Sequence, residues 1–207
     1  MEEWRKSLRP RITEARAELE GRDPAELARL AGAEHHGGEL RLRLFDREYR
    51  IPHPELVAYE QEGGEPAPEE VQALLLDYLR RADGTLPTGE WLAFRELEGG
   101  QFYFRAFQGY AGDSLVREIG NDLEGFRRAA DRLGGEPLEF GDASFKIKVL
   151  PHLWMAVVYW QGDEEFPPRA SVLFDTAAAR YLPTDGLAIL GRWLCAKLLK
   201  LRGEGGP

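Results

Sequence analysis

The chain is poor in cysteine, asparagine, methionine and lysine, and it contains no long apolar run. A single cysteine, Cys195, in 207 residues excludes an internal disulfide and any iron–sulfur cluster held by several cysteines of this chain. The longest strongly apolar stretch, Leu153 to Trp160, is far too short to cross a bilayer, so no membrane span is expected. No apolar segment follows Met1-Glu-Glu-Trp-Arg-Lys, which predicts a cytoplasmic protein without a signal peptide. Basic residues are outnumbered, 27 against 36 acidic, for a net charge of -9. That balance argues against a nucleic-acid partner, since phosphate recognition needs a basic footprint. Asn121 is the only asparagine, and 22 arginines stand against five lysines. Depletion of thermolabile residues fits a thermophile, and a GC-rich genome also favours arginine over lysine.

What is present suits a globular chain. The sequence is 43% apolar and 30% charged, too apolar for disorder and long enough to bury a core. Trp4, Leu8, Ile12, Ala15 and Leu19 recur at helical spacing, predicting an N-terminal amphipathic helix within residues 1–22. Its other face carries Arg5, Lys6, Arg9, Arg11 and Arg16, a pattern of a solvated face or of an anionic partner. Asp23-Pro24 opens a short second helix to about Ala31.

From residue 23 to 202 the pattern predicts one α+β domain with a mainly antiparallel sheet and flanking helices, followed by a flexible tail at 203–207. Residues 39–45 alternate apolar and charged positions and turn at Asp46-Arg47 into 48–51, a β-hairpin. The Pro/Gly/Glu-rich segment 52–68 reads as a loop, and Val71, Leu74, Leu75, Tyr78 and Leu79 as one apolar helix face ended by Gly84. Segments 91–97 and 101–107 around Glu98-Gly99-Gly100 read as a second hairpin, with a helix as the alternative for 101–107. Helices are expected at 113–120 and 122–133, strands at 145–149, 153–160 and 170–174, and a last helix from Thr184 or Asp185. Leu153–Trp160, apolar on both faces, is expected at the centre of the sheet.

Several residues carry enough chemistry to be candidates. Asp163, Glu164 and Glu165 directly follow the central strand, Asp142 precedes its partner strand, and Asp175 ends the next. Carboxylates at strand ends that converge form the oxygen cluster a divalent cation needs; solvated turn residues are the plainer reading. His35-His36 before Gly37-Gly38, read as a loop, suggest a haem or corrinoid ligand or simply exposed histidines. Glu90, Trp91, Phe94, Arg95 and Trp160 are candidates for contacts with a planar ligand, such as a tetrapyrrole. The crowd Trp91, Phe94, Phe102, Tyr103, Phe104, Phe107 and Tyr110 is read first as core packing on two strands. His53 and His152, each beside a proline, suit local hydrogen bonds at turns. None of the four serines sits in G-x-S-x-G, and Cys195 falls within the last helix as a small buried residue.

Certain blocks resemble a known family. They are Leu74–Leu79, Thr88–Leu97 with Gly99-Gly100, Gly141-Asp142 with Ser144-Phe145, Leu150-Pro151, Trp160 with Gly162-Asp-Glu-Glu-Phe-Pro167, Leu173–Asp175 and Tyr181–Pro183. Together, over about residues 25–200, they resemble a bacterial domain of unknown function found largely in anaerobes such as sulfate reducers and acetogens. Some members of that family carry an N-terminal iron–sulfur segment; this sequence shows none, and no cluster is expected. The resemblance directs attention to the Gly-Glu-Trp and Gly-Asp-Glu-Glu-Phe-Pro blocks. Three functions are compatible with the sequence: an accessory or binding module with a protein partner, serving a redox or corrinoid system; a divalent-metal enzyme built on the carboxylates, with Glu90 or Glu165 as general base; or tetrapyrrole binding through His35 or His36.

Overall fold

The computed structural model describes the backbone of residues 2–203 and the side chains from residue 8 onward. The side chains of Trp4, Arg5 and Lys6 of the expected amphipathic pattern, and residues 204–207 of the expected tail, lie outside the described residues. In chain order the elements are α1 (Glu2–Leu19), α2 (Pro24–Ala31), β1 (Glu34–His36), β2 (Glu39–Leu44), β3 (Arg47–Pro52), β4 (Tyr59–Glu60) and α3 (Glu69–Arg81). Then follow β5 (Trp91–Ala93), a 3-10 turn (Phe94–Glu96), α4 (Gly100–Tyr110), α5 (Gly112–Ile119), α6 (Leu123–Arg132), β6 (Glu136–Leu138) and β7 (Ala143–Leu150). The chain ends with β8 (Leu153–Trp160), β9 (Arg169–Asp175), α7 (Ala178–Tyr181) and α8 (Thr184–Gly203). This is an α+β fold with antiparallel sheets, built as two compact units.

The first unit comprises residues 1–86, 150–153 and 177–185. Its sheet runs β1-β2-β3-β4 in sequence order, and the expected hairpin forms with Leu40 opposite Ile51 and Leu42 opposite Tyr49. Its turn is Phe45-Asp46, not Asp46-Arg47: Arg47 pairs with Leu44 and Phe45 takes a positive φ. Alternation places Leu40, Leu42 and Leu44 inside while Arg43 stays exposed. Helix α2 starts where its chemistry demands, with the Asp23 carboxylate accepting from the Ala25 N–H, and stops at Gly32 in the left-handed region. Helix α3 is buried all round from Val71 to Leu79, not on one face, and ends at Arg81, before Gly84. Two polar side chains are therefore inside it. Gln72 is satisfied on both sides: its Nε2 donates to Ala67 O and its Oε1 accepts from Arg16 and from the Ala58 N–H.

Of the basic face of α1, the side chains of Arg5 and Lys6 lie outside the described residues, Arg9 is solvated, and Arg11 and Arg16 are drawn into the packing. Arg9 pairs with Glu69, Arg11 with Asp77 and Asp185, and Arg16 donates to Leu56 O and Gln72. Asp77 of α3 and Asp185 of α8 counter Arg11, so the inner part of this basic pattern is packing while the Arg9–Glu69 pair stays at the surface. His35-His36 form an edge strand paired to β2, not a loop, and the positive-φ glycines Gly37 and Gly38 turn it. The expected loop 52–68 contains β4, and a cis peptide joins His53 to Pro54.

Near the end of α3, Asp83 accepts from the Thr85 hydroxyl and backbone N–H and from Arg180, and these bonds hold its pKa down at about 2, against an ordinary 3.8. A depressed carboxylate stabilises the fold above its unfolded pKa and loses that contribution as pH falls toward the folded value. Thermal melts of wild type and Asp83→Asn between about pH 4 and pH 2 should therefore differ in slope, the variant being flatter. Parallel curves would show that Asp83 contributes nothing to acid sensitivity.

The second unit comprises residues 87–149, 154–176 and 186–207. Its sheet has the order β5-β9-β8-β7-β6, so Leu153–Trp160 is the middle strand, as its two-sided apolar pattern implies. Segment 101–107 is not a strand: it lies in α4, and the expected hairpin does not form. Gly99 and Gly100 make the tight entry to that helix. Gly99 has φ +70, and a Cβ on Gly100 would lie 1.9 Å from Phe94 O, so only glycine fits. The short β5 pairs instead with β9, Leu92 opposite Phe174. The aromatic crowd consequently divides. Phe94 and Phe107 stack in the core, while Phe102 and Tyr103 face outward, 79% and 67% exposed.

Cys195 is buried in α8, and burial alone pushes its thiol up to about 12. A thiol reagent at about pH 8 should leave the folded protein unlabelled and react fully only in denaturant. Rapid labelling of the native chain would overturn this placement.

Candidate functional site

At one end of the second sheet, where β8 closes with Trp160, two loops meet. Residues 139–142 lead into β7, and residues 161–168 connect β8 to β9. Asp142 N–H donates to Tyr159 O at 2.9 Å, and Asp142 Oδ2 accepts from Gln161 N–H at 2.7 Å. Between them Gly141, at φ +57, lies so close to the strand that a Cβ there would be 2.7 Å from Tyr159 O and 3.1 Å from Trp160 Nε1. Only a glycine allows this approach.

The second loop is clamped from a third side. Asn121, in the turn between α5 and α6, accepts the Gly162 N–H through Oδ1 at 3.0 Å and donates through Nδ2 to Gly162 O at 3.4 Å. Gln161 Nε2 donates to Asn121 O. The chain's only asparagine thus uses its amide as a strand would use a peptide group. Within the loop, Asp163 Oδ1 accepts from the N–H groups of Phe166 and Glu165, and Asp163 N–H donates to Phe166 O. The Phe166 bond first, then that of Glu165, lowers the Asp163 pKa. Pro167-Pro168 finishes the turn, packed against Gly162.

This scaffold displays its apex outward. Phe166 is 66% exposed and Phe140, on the adjoining loop, 45% exposed. Glu164 and Glu165 are exposed and make no ion pair among the described residues. Trp160 is half-buried and covered by the Arg169 guanidinium, 4.3 Å from its ring centroid, across the β8–β9 pair.

The other candidates are placed elsewhere. Asp175 sits at the far end of β9, six residues or about 20 Å from Arg169 by the rise of a strand. Its carboxylate is fully buried and accepts from Thr88 N–H, Thr88 Oγ1 and Gly89 N–H, which fixes the entry to β5. The structure therefore brings Asp142, Asp163, Glu164 and Glu165 onto adjoining loops but does not bring Asp175 to them. Among the described residues, no group of three or more His, Cys, Asp and Glu side chains is arranged to hold a metal ion. Glu90, Trp91, Phe94 and Arg95 lie near the Asp175 end, on and beside β5, and do not meet Trp160. Phe94 is core; Glu90 and Arg95 are exposed. In β1, His36 is exposed beside Glu34 at 3.4 Å and His35 points to the opposite face, as the pleat requires. His53 Nε2 meets Leu19 O, and the His152 backbone N–H donates to the Tyr78 hydroxyl, so the expected local bonds are instead contacts to distant helices.

Asn121, Phe140, Gly141 and Phe166 were not among the residues the sequence pattern singles out as site candidates. A lone asparagine, and an aromatic set between carboxylates and a proline pair, were the available signals.

The fold is thus that of an α+β protein with two antiparallel sheets, one of which carries a hydrogen-bonded acidic–aromatic loop at its end. The family described as a domain of unknown function, DUF3786, matches residues 23–197, most of the chain, and the chain belongs to that family. The match begins after α1. No curated protein matches the chain, and no solved structure does.

Proposed function

We propose that the chain is a non-catalytic docking module that presents the 161–168 loop to a protein partner. The observation that carries this is an exposed Phe166 held on a loop fixed from three sides, by Asp142, Asn121 and the Asp163 turn. A loop that is ordered before binding loses little entropy on binding, and an aromatic residue on it is the usual anchor of a protein interface. The polar groups of this loop's backbone serve its own shape, while Phe166, Glu164 and Glu165 are left for something outside. The redox setting implied by the family resemblance suits an accessory subunit of this kind.

The test is a photo-crosslinking residue placed at Phe166 in cells of the source organism, with Leu86, equally exposed at 67%, as the control position. One discrete adduct is expected from position 166 and none from 86. Asn121→Ala, which frees the loop, should abolish the adduct without changing the circular dichroism spectrum. Equal labelling at both positions, or an adduct indifferent to Asn121, would overturn the proposal.

A further inference from the structure

Resting on that reading, we infer that the partner surface is an apolar hollow rimmed by arginine or lysine, as on a basic amphipathic helix, with Phe166 entering the hollow and Glu164 and Glu165 facing the rim. The argument is one of complementarity. Asp163, Glu164 and Glu165 place three carboxylates beside one exposed ring. Arg169, over the Trp160 ring, and Arg127, which donates to Asp142 O, keep their positive charge beside the loops. Asp142, Asp163, Glu164 and Glu165 outnumber these two cations, so the apex stays net negative, in keeping with the -9 of the whole chain.

An acidic partner, a nucleic acid or an anionic membrane would meet like charge here, and a second copy of this chain would bring the same acidic loop. A cationic rim instead gains attraction and needs little rearrangement. The ring and the carboxylates have separable duties: buried aromatic area slows dissociation, and exposed charge speeds encounter.

The probes are three helix-stabilised peptides of about 18 residues with one identical leucine face and flanks of arginine, glutamine or glutamate. Binding to the full chain is followed by fluorescence anisotropy and stopped flow. The arginine peptide should bind roughly tenfold or more tightly than the glutamine peptide, and the glutamate peptide not at all. Raising salt from about 50 to about 500 mM should remove the preference. Phe166→Ala should speed dissociation roughly tenfold with association unchanged. The pair Glu164→Gln and Glu165→Gln should slow association and equalise the arginine and glutamine peptides. Glu62→Gln with Glu65→Gln, two exposed carboxylates in the first unit, changes the net charge equally and should have no effect.

Peptide binding that ignores flank charge, or that responds equally to the Glu62 and Glu65 pair, overturns the inference. So does sedimentation showing a dimer of the chain alone that Phe166→Ala dissolves. A crosslink at position 166 with no preference for the arginine peptide would refute the basic rim and leave the docking module standing.

Discussion

Replacing Asp77 by alanine should cost about 2–3 kcal/mol of stability in the first unit, because it removes a buried carboxylate whose charged contacts two guanidinium groups share. Asp77 lies within α3 with its side chain 2% exposed; Arg11 Nη2 reaches one carboxylate oxygen at 2.6 Å and Arg80 Nε the other at 2.9 Å. Both arginines are themselves only 17% exposed. Each guanidinium keeps a further carboxylate when Asp77 is removed, Asp185 for Arg11 and Glu18 for Arg80, so the loss is that of the shared contacts and not of all charge compensation. Arg11→Ala should cost less, since Asp77 keeps Arg80, and Arg80 also has Glu18 at 3.1 Å. In the double variant the two losses should fall short of their sum, as expected for residues that share one network. Urea unfolding measures the sizes, and amide hydrogen exchange of α1 and α3 locates them. A loss under about 1 kcal/mol for Asp77→Ala would mean that the arginines remain hydrated and the network is a surface one.

This network also shows where a sequence reading reaches its limit. Helical spacing in α1 gives the apolar side, and Leu8, Ile12, Ala15 and Leu19 are indeed buried. The same spacing gives a basic side, but which of its residues leave solvent depends on Asp77 and Gln72, some sixty residues on, which draw in Arg11 and Arg16 while Arg9 stays exposed. Local signals did well where the cause is local. Helix α2 is framed by Asp23, Pro24 and Gly32, and β2–β3 by alternation around a two-residue turn. The central place of β8 was legible because a strand apolar on both faces has to be covered on both. The 161–168 loop was half legible. Its acidic, aromatic and proline residues stand together in the sequence, whereas the groups that hold it rigid, Asn121 and Asp142, come from distant turns. The cation site imagined for Asp175 drew on strand ends without knowing which ends coincide, and β9 carries that residue to the opposite end from Asp163.

Phe107→Ala tests the segment where alternation misleads. In Gln101-Phe-Tyr-Phe-Arg-Ala-Phe107 aromatic residues hold four of seven positions, three of them consecutive, so periods of two and of 3.6 fit almost equally well. Packing decides between them. As part of α4, Phe107 lands on the Phe94 ring with centroids 4.1 Å apart and planes 12° from parallel, with Tyr110 edge-on at 5.7 Å and Phe174 of β9 at 5.9 Å. Gly191 of α8 comes so close that a Cβ there would be 2.7 Å from the Phe107 ring. A strand would bury alternate residues; the helix buries Phe107 and leaves Phe102 and Tyr103 in water. Deleting the Phe107 ring opens a cavity lined by rings from three elements, and about 3–5 kcal/mol should be lost, the range for a fully buried phenylalanine. Phe107→Leu, which keeps most of the volume, should lose less than half of that. Phe102→Ala, in the same segment, should stay within about 0.5 kcal/mol of wild type, as an exposed position does. If instead the Phe102 and Phe107 variants lost comparable stability in urea titrations, the helical placement of this segment would be wrong and the alternating pattern right.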